Sequence, residues 1–335
     1  MADKRFHVDE SRPWFSKEAG WPDEVPKNID FPRQTLGEML QETVDKYPDH
    51  KALWFLESLM TYRELNEQVN AFATSLHNLG FKKGDVISFM LPNSFQYVIC
   101  YYAAQRLGVV CSGINPTYKP AEVLHQLRTV DAKGLVFLDA LYEGQIASII
   151  DKSPVKTLIA TNIVDIAKIS GFKKFLGKLL GKIPTGEVPA ASLQMTELLK
   201  VKPDVPKVDI DVDDPATFIM TGGTTGVPKA AVLTHFNCVS NAVQSAAWIY
   251  KIKPGACMVG VLPLFHSFAM TAVMNISVKL AAWAMLFPRP PEVEELIKTV
   301  MRVGEKGATY YCGAEILFKR MADFMEDPAH KEKYK

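Results

Sequence analysis

Cysteine is scarce and scattered in this 335-residue sequence. The five residues, Cys100, Cys111, Cys238, Cys257 and Cys312, are odd in number and far apart. None sits in a CxxC or Cys/His pattern with metal spacing, so neither a disulfide framework nor a zinc site is expected, and the thiols read as reduced and mostly buried in a cytoplasmic protein. Charge of one sign is also missing: 38 Lys+Arg against 37 Asp+Glu leave a net charge of +1. Such a balance provides no global field to hold a polyanion, and nucleic acid is not an expected partner. A secretory leader is missing too, because the first ten residues are polar and acidic with no apolar run. The longest stretch without a Lys, Arg, Asp or Glu runs over 254–278. Gly260 and Pro263 split it, and His266, Thr271 and Asn275 interrupt it, so it reads as buried core and not a membrane span.

What is present is ordinary for a globular chain, with 48% apolar and 22% charged residues. Residues 1–34, rich in Trp, Pro and charge, have no sustained period and read as an irregular arm lying on a body. From Thr35 onward the pattern alternates. Capping boxes at Thr35-Leu-Gly-Glu38 and Thr61-Tyr-Arg-Glu64 open helices, the second carrying apolar residues at 65, 69, 72, 76 and 79. Strands are expected at 86–91, 109–114, 134–139, 217–220, 230–234, 258–262, 282–287 and 308–312, with helices between most of them. That rhythm predicts an α/β fold of two layered subdomains with mostly parallel sheets flanked by helices. The expected division puts 35–75 with 216–335, 76–183 in a second subdomain, and a Pro/Asp-rich connection at 184–215, where Asp209, Asp211, Asp213 and Asp214 follow four of five prolines.

The segment richest in chemistry is Thr221-Gly-Gly-Thr-Thr-Gly-Val-Pro-Lys229, between two strand-like runs. Its glycines permit close backbone approach, so successive N–H groups can converge on phosphate oxygens, and its hydroxyls and one ammonium complete a cradle. It is not a P-loop, because Val227 and Pro228 separate Gly226 from Lys229 and a strand, not a helix, follows. The bland alternative is a flexible glycine hairpin without a ligand. A second feature is helical: Ile166, Ile169, Phe172, Leu176, Leu179, Leu180 and Ile183 recur on one face while five lysines fill the remainder. Residues 166–183 therefore suit either an anionic membrane surface or packing of the stripe on the body.

At Thr221–Lys229, followed by Leu233-Thr234-His235, the chain resembles the adenylate-forming (AMP-binding) superfamily, in its long-chain fatty-acid-CoA ligase branch. Tyr62-Arg-Glu-Leu-Asn66, Leu91-Pro-Asn-Ser94, Asn115-Pro-Thr-Tyr118 and Leu262-Pro-Leu-Phe-His266 carry the resemblance along the chain. Ala230 stands where the family usually has Gly, and Met220 where the branch often has Tyr. The resemblance implies that Thr221, Gly222, Gly223, Thr224, Thr225, Gly226 and Lys229 hold ATP phosphates, with Mg²⁺ accompanying ATP and CoA as co-substrate. It implies that Phe265 and His266 lie beside the acyl carboxylate, His266 positioning substrate and not acting as a base; a lone His there otherwise reads as a core or capping residue. It implies further that Gly313 and Ala314 line the acyl pocket, whereas Glu315, where Pro is common, reads as a helix-capping carboxylate. The implied activity is fatty-acid activation to an acyl-adenylate and then acyl-CoA, by a peripheral membrane enzyme of lipid metabolism. Ligases for aryl or short-chain acids, or a binding module without turnover, share these motifs. The family's later adenine, ribose and catalytic-Lys signatures do not occur in these 335 residues, so the expectation is a part of a longer protein, inactive alone.

Overall fold

The structure, a computed structural model, describes residues 7–222 and 226–334. Its strands are β1 (Lys51–Phe55), β2 (Ser58–Thr61), β3 (Val86–Met90), β4 (Val110–Gly113), β5 (Gly134–Leu138), β6 (Thr157–Thr161), β7 (Leu193–Gln194), β8 (Pro215–Met220), β9 (Ala230–Thr234), β10 (Cys257–Gly260), β11 (Trp283–Leu286) and β12 (Thr309–Tyr311). The first seven helices are α1 (Leu36–Lys46), α2 (Tyr62–Asn78), α3 (Phe95–Leu107), α4 (Pro120–Thr129), α5 (Gly171–Leu179), α6 (Met195–Leu198) and α7 (His235–Trp248). Both expected capping boxes form: Thr35 and Thr61 each accept the N–H of the Glu three residues on, whose carboxylate returns to the cap N–H.

Two sheets result. The larger runs β7-β6-β5-β3-β4-β8-β9 and is parallel except for β9; the smaller runs β12-β10-β11-β1-β2 and is parallel except for β2. The expected α/β architecture is therefore observed, with one regrouping. The strands that bracket the glycine loop, β8 and β9, join the sheet of 86–161 through β4, and not the later strands with which residues 216–234 were grouped. The cause is pairing: Thr217 Oγ1 donates to the Cys111 carbonyl, and buried Gln105 donates to the Ala216 carbonyl. The 184–215 stretch is also more than a connection, since β7 within it completes the edge of the larger sheet beside β6.

Between the sheets lies a layer of helices, with α3 at its centre. Every residue of α3 except Arg106 is buried, and one continuous core takes in Ile87, Phe89 and Val136 of the larger sheet, α3 itself, and Leu53, Ala284 and Leu286 of the smaller. A helix apolar all round belongs in such a place. Several of the polar groups that enter this layer are bonded across it. Tyr102 donates to Asn275, Tyr62 donates to the carbonyls of Ser277 and Ala282, and Arg106 donates to Gln41 and Asn66.

Buried His235, first residue of α7, ties this helix to α1: the Leu36 N–H donates to its Nδ1 at 3.3 Å. Burial lowers its pKa from 6.5 to about 4, against a smaller pull from Asp214 and Glu38. The unfolded chain then takes up the proton first, so stability falls as pH drops from about 6.5 toward 4, by at most about 1.4 kcal/mol per pH unit. In the H235N variant, whose Oδ1 can keep the acceptor, the melting temperature between pH 7 and 5 should fall less steeply than in the wild type. Equal slopes would remove His235 as the cause.

Candidate functional site

The glycine loop closes an antiparallel hairpin. Met220 pairs with Ala230, and one step further the Thr221 N–H and hydroxyl both donate to the Lys229 carbonyl at 2.8 and 3.2 Å. Thr221 and Lys229 therefore form the neck, with both side chains exposed. On the far leg the Pro228 carbonyl lies 3.0 Å from Nε2 of His125 on α4, a contact that the sequence did not announce. Among the described residues, no heavy atom other than those of its chain neighbours stands within 4 Å of where a Cβ would fall on Gly222 or Gly226. Gly223, Thr224 and Thr225 lie outside the described residues.

Phe265 and His266 follow β10 on a segment that one side chain fixes. The buried Asn93 amide donates to the carbonyls of Gly260 and Leu262 at 3.1 and 2.9 Å, and its Oδ1 accepts the Leu264 N–H at 2.8 Å. Asn93 sits in the loop after β3, so the carboxyl end of a strand in one sheet clamps the carboxyl end of a strand in the other. Gly113, at the end of β4, completes the junction. A Cβ there would come within 2.5 Å of the Tyr97 hydroxyl and 2.7 Å of Phe265 Cβ, so only glycine lets this segment approach. Because Ser112 pairs with Phe218, continuing that register sets Gly113 beside Ile219, two residues before Thr221. The loop neck and the His266 segment thus meet at one edge, where the carboxyl ends of parallel strands form the usual ligand crevice of α/β sheets.

His266 is exposed, with its ring against Phe265 at 4.5 Å, and partial burial holds its pKa below 6.5. Its side chain makes no cap to the helical stretch that follows, which is α-helical over Ser267–Ala269, π-helical over Met270–Asn275 and α-helical again over Ile276–Leu280. A π segment of this kind is rare and concentrates at functional sites. Two cavities flank the stretch. One, of about 740 Å³, is lined by Asn237, Asn241, Ser267 and Thr271; the other, of about 520 Å³, by Trp21, Ile29, Trp248, Met258 and Cys312. They share Ser245, Phe268 and Ala272. The N-terminal arm walls the second cavity. Trp21 meets Trp248 edge-on at 5.4 Å and Phe15 at 4.6 Å, and its indole N–H donates to the Val25 carbonyl. Trp21 was not singled out in the sequence, although the aromatic richness of the arm was its signal.

Gly313 and Ala314 lie one strand further on, after β12. Cys312 beside them faces the smaller cavity, and Gly313 packs on the Tyr311 and Phe318 rings. Glu315 opens the helix Glu315–Glu326 as its first residue, while Ala314 occupies the cap without a side-chain bond. The Glu315 carboxylate thus suits the helix dipole without capping it. Among the described residues no three His, Cys, Asp or Glu side chains gather as metal ligands. The loop sequence offers hydroxyls and an ammonium but no carboxylate.

Replacing Asn93 by Leu keeps approximate volume but strands two carbonyls and one N–H in a buried place. Stability should fall by about 3 kcal/mol, read as a lower urea midpoint. An unchanged midpoint would show that the clamp does not hold the segment.

Comparisons with known proteins identify the family and the fold. The family model for AMP-binding enzymes matches residues 40–335. A long-chain-fatty-acid-CoA ligase of Bacillus subtilis is 30% identical over 305 residues, covering 86% of this chain and 52% of its own length. One from Yersinia pestis is 33% identical over 297 residues, covering 84% and 51%. The crystal structure of a long-chain-fatty-acid-CoA ligase from Archaeoglobus fulgidus superposes with a TM-score of 0.67 at 24% identity, covering 82% of this chain and 51% of that one, a likeness of fold. The chain therefore spans about half the length of the curated relatives it matches. With an alternating α/β core, a Thr/Gly/Lys loop on a hairpin and a family match over most of its length, this chain belongs to the AMP-binding enzymes.

Proposed function

We propose that this chain supplies the phosphate-binding and acid-binding share of an ATP-dependent long-chain fatty-acid-CoA ligase. What supports the reading is the placement of the Thr221–Lys229 hairpin neck and the Asn93-clamped segment before His266 at the carboxyl ends of strands, together with an apolar cavity walled by two tryptophans. In the proposed reaction a carboxylate oxygen of the fatty acid attacks the α-phosphorus of ATP, the bond to the bridging oxygen breaks, and pyrophosphate leaves. The CoA thiol then attacks the acyl carbon, and AMP departs with the electron pair.

The proposed roles follow from the groups present. Backbone N–H groups of the loop, the Thr hydroxyls and the Lys229 ammonium offset the charge of the leaving phosphates, which is the main electrostatic demand of the first step. Magnesium travels with ATP as part of the substrate, and no step is assigned to a protein-bound ion. His266, whose pKa partial burial lowers, positions the acid by hydrogen bonding. Gly313 and Ala314 border the acyl chain, and Trp21 and Trp248 add apolar wall. This wall favours an apolar acid over a short-chain one, and the likeness to long-chain ligases favours the aliphatic over the aryl class. Four of the five cysteines are buried and all are unpaired, which suits a reducing cytoplasm. A fatty acid is met at membrane surfaces, and a peripheral association with one belongs to the same proposal; no helix among the described residues is long and apolar enough to cross a membrane.

In the gene product that carries this chain, a long-chain fatty acid should support ATP–pyrophosphate exchange. Lys229→Ala should lower kcat/KM for ATP by roughly ten- to a hundredfold, the loss of one charge-assisted phosphate contact, with its melting temperature unchanged. Exchange driven better by benzoate or acetate would overturn the assigned chain length. ATP binding without acid-dependent exchange would overturn the ligase reading, and unchanged exchange at subsaturating ATP would remove Lys229 from the cradle.

A further inference from the structure

Helix α5 is amphipathic in the inverted sense. A surface helix normally turns its apolar stripe to the body; here no residue of α5 is buried, and Phe172, Phe175, Leu179 and Leu180 are 74, 64, 69 and 59% exposed, with Leu176 at 39%. The polar face is the one that touches protein. Lys174 Nζ donates to the Asp165 carbonyl at 2.8 Å, and Gly177 lies so close to Ile183 that a Cβ would approach Ile183 Cδ1 to 2.6 Å. At about 100° per residue, Lys174 and Gly177 both fall roughly 150° from the centre of the Phe172/Phe175/Leu176/Leu179 stripe, which is the side facing the body. Lys173 and Lys178 fall about 110° to either side, flanking the stripe. Only 171–179 of the expected 166–183 helix forms, and while Ile166 before it packs against the core, the stripe from Phe172 to Leu180 does not.

The roots of the segment are fixed. Before it, Asp165 accepts the Asn162 N–H at 2.7 Å and Lys168 pairs with Glu64. After it, Lys182 and Ile183 N–H both donate to the Gly177 carbonyl, and Asn162 donates to the Pro184 carbonyl. An excursion held at both ends, with its apolar side outward, is a built feature and not a frayed loop. From Ile166 to Gly186 the chain has five lysines and no Asp or Glu.

We propose that α5 is an in-plane anchor that seats this chain on an anionic lipid bilayer. Phe172, Phe175, Leu176, Leu179 and Leu180 enter the boundary between headgroups and acyl chains, and Lys173, Lys178 and Lys182 lie at the level of the lipid phosphates. Charge complementarity selects this occupant: a flanking pair of lysines with no acid in 21 residues matches an anionic plane, whereas a second copy of the same surface would bring like charges together. The purpose of the anchor rests on the fatty-acid reading, but its existence does not.

The test is co-sedimentation of the chain with vesicles of phosphatidylcholine alone and of phosphatidylcholine mixed with phosphatidylglycerol. Binding is expected to the mixed vesicles at low salt, to weaken at high salt as screening shortens the field, and to be feeble on phosphatidylcholine. The triple variant Lys173→Glu, Lys178→Glu, Lys182→Glu and the triple variant Phe172→Ser, Phe175→Ser, Leu179→Ser should each lose at least tenfold in binding. Both should keep the wild-type melting temperature, because every altered side chain is exposed. Equal binding by wild type and either variant, or no binding at low salt, overturns the anchor. A concentration-dependent dimer that the serine variant abolishes, with no vesicle binding, makes a second copy the occupant and overturns it as well. Vesicle binding by the chain with no acid-dependent exchange by the gene product that carries it sinks the ligase reading alone; exchange by that product with detergent-dispersed acid but no vesicle binding sinks the anchor alone.

Discussion

Burial of α3 around almost its whole circumference is the constraint on which the remaining structure depends. Its residues contribute to a core shared by both sheets, so neither sheet can shift without opening space around Tyr97, Tyr101 and Tyr102. Interiors packed at this density transmit such shifts instead of absorbing them. The loop that enters α3 carries Asn93, and the clamp of Asn93 on the segment after β10 is therefore as rigid as the layer itself. A site assembled from two sheets gains its fixed geometry from the helix between them.

The same arrangement divides labour at the edge. The larger sheet presents the glycine loop through β8 and β9, and the smaller sheet presents Phe265, His266, Gly313 and Ala314. Gly113 is the point of nearest approach, where the absence of a side chain lets β4 touch Phe265. In the proposed reading, polar and apolar recognition thus come from different sheets and meet across a single strand. The N-terminal arm adds a third contributor, because Trp21 closes the cavity that Trp248 opens.

Much of this was legible in the sequence because its signals were local. The capping boxes at Thr35 and Thr61 and the apolar spacing of α2 each act within a few residues, and both helices formed as expected. The glycine loop was legible for the same reason. What escaped was set by distant partners. The β1–β2 hairpin turns on Leu56 and Glu57, both at positive φ, in place of the Asn-Gly that would signal it; Arg302, 245 residues away, pairs with Glu57 through two contacts of 2.6 Å. The membership of β8 in the larger sheet was decided by β4 and Gln105. Asn93 was visible within a motif, but its role as a clamp required knowing what lay 167–171 residues further on. The direction of the α5 stripe was likewise invisible, since periodicity gives two faces and not which one meets the body.

The π-helical turn at Met270–Asn275 sets a rotational phase between the two ends of its helix. A π turn holds one residue more than the α turn it replaces, so the stretch on its N-terminal side is rotated by roughly 100° relative to a continuous α-helix. Phe268, shared by both cavities, and His266 lie on that side, whereas Ile276 and Val278 lie on the other, in the core. A single-residue length change within this turn would swing Phe268 from one wall to another relative to Ile276–Leu280. Chain length within one helical turn, and not only side-chain identity, is in this way a coordinate along which the cavity can be reshaped.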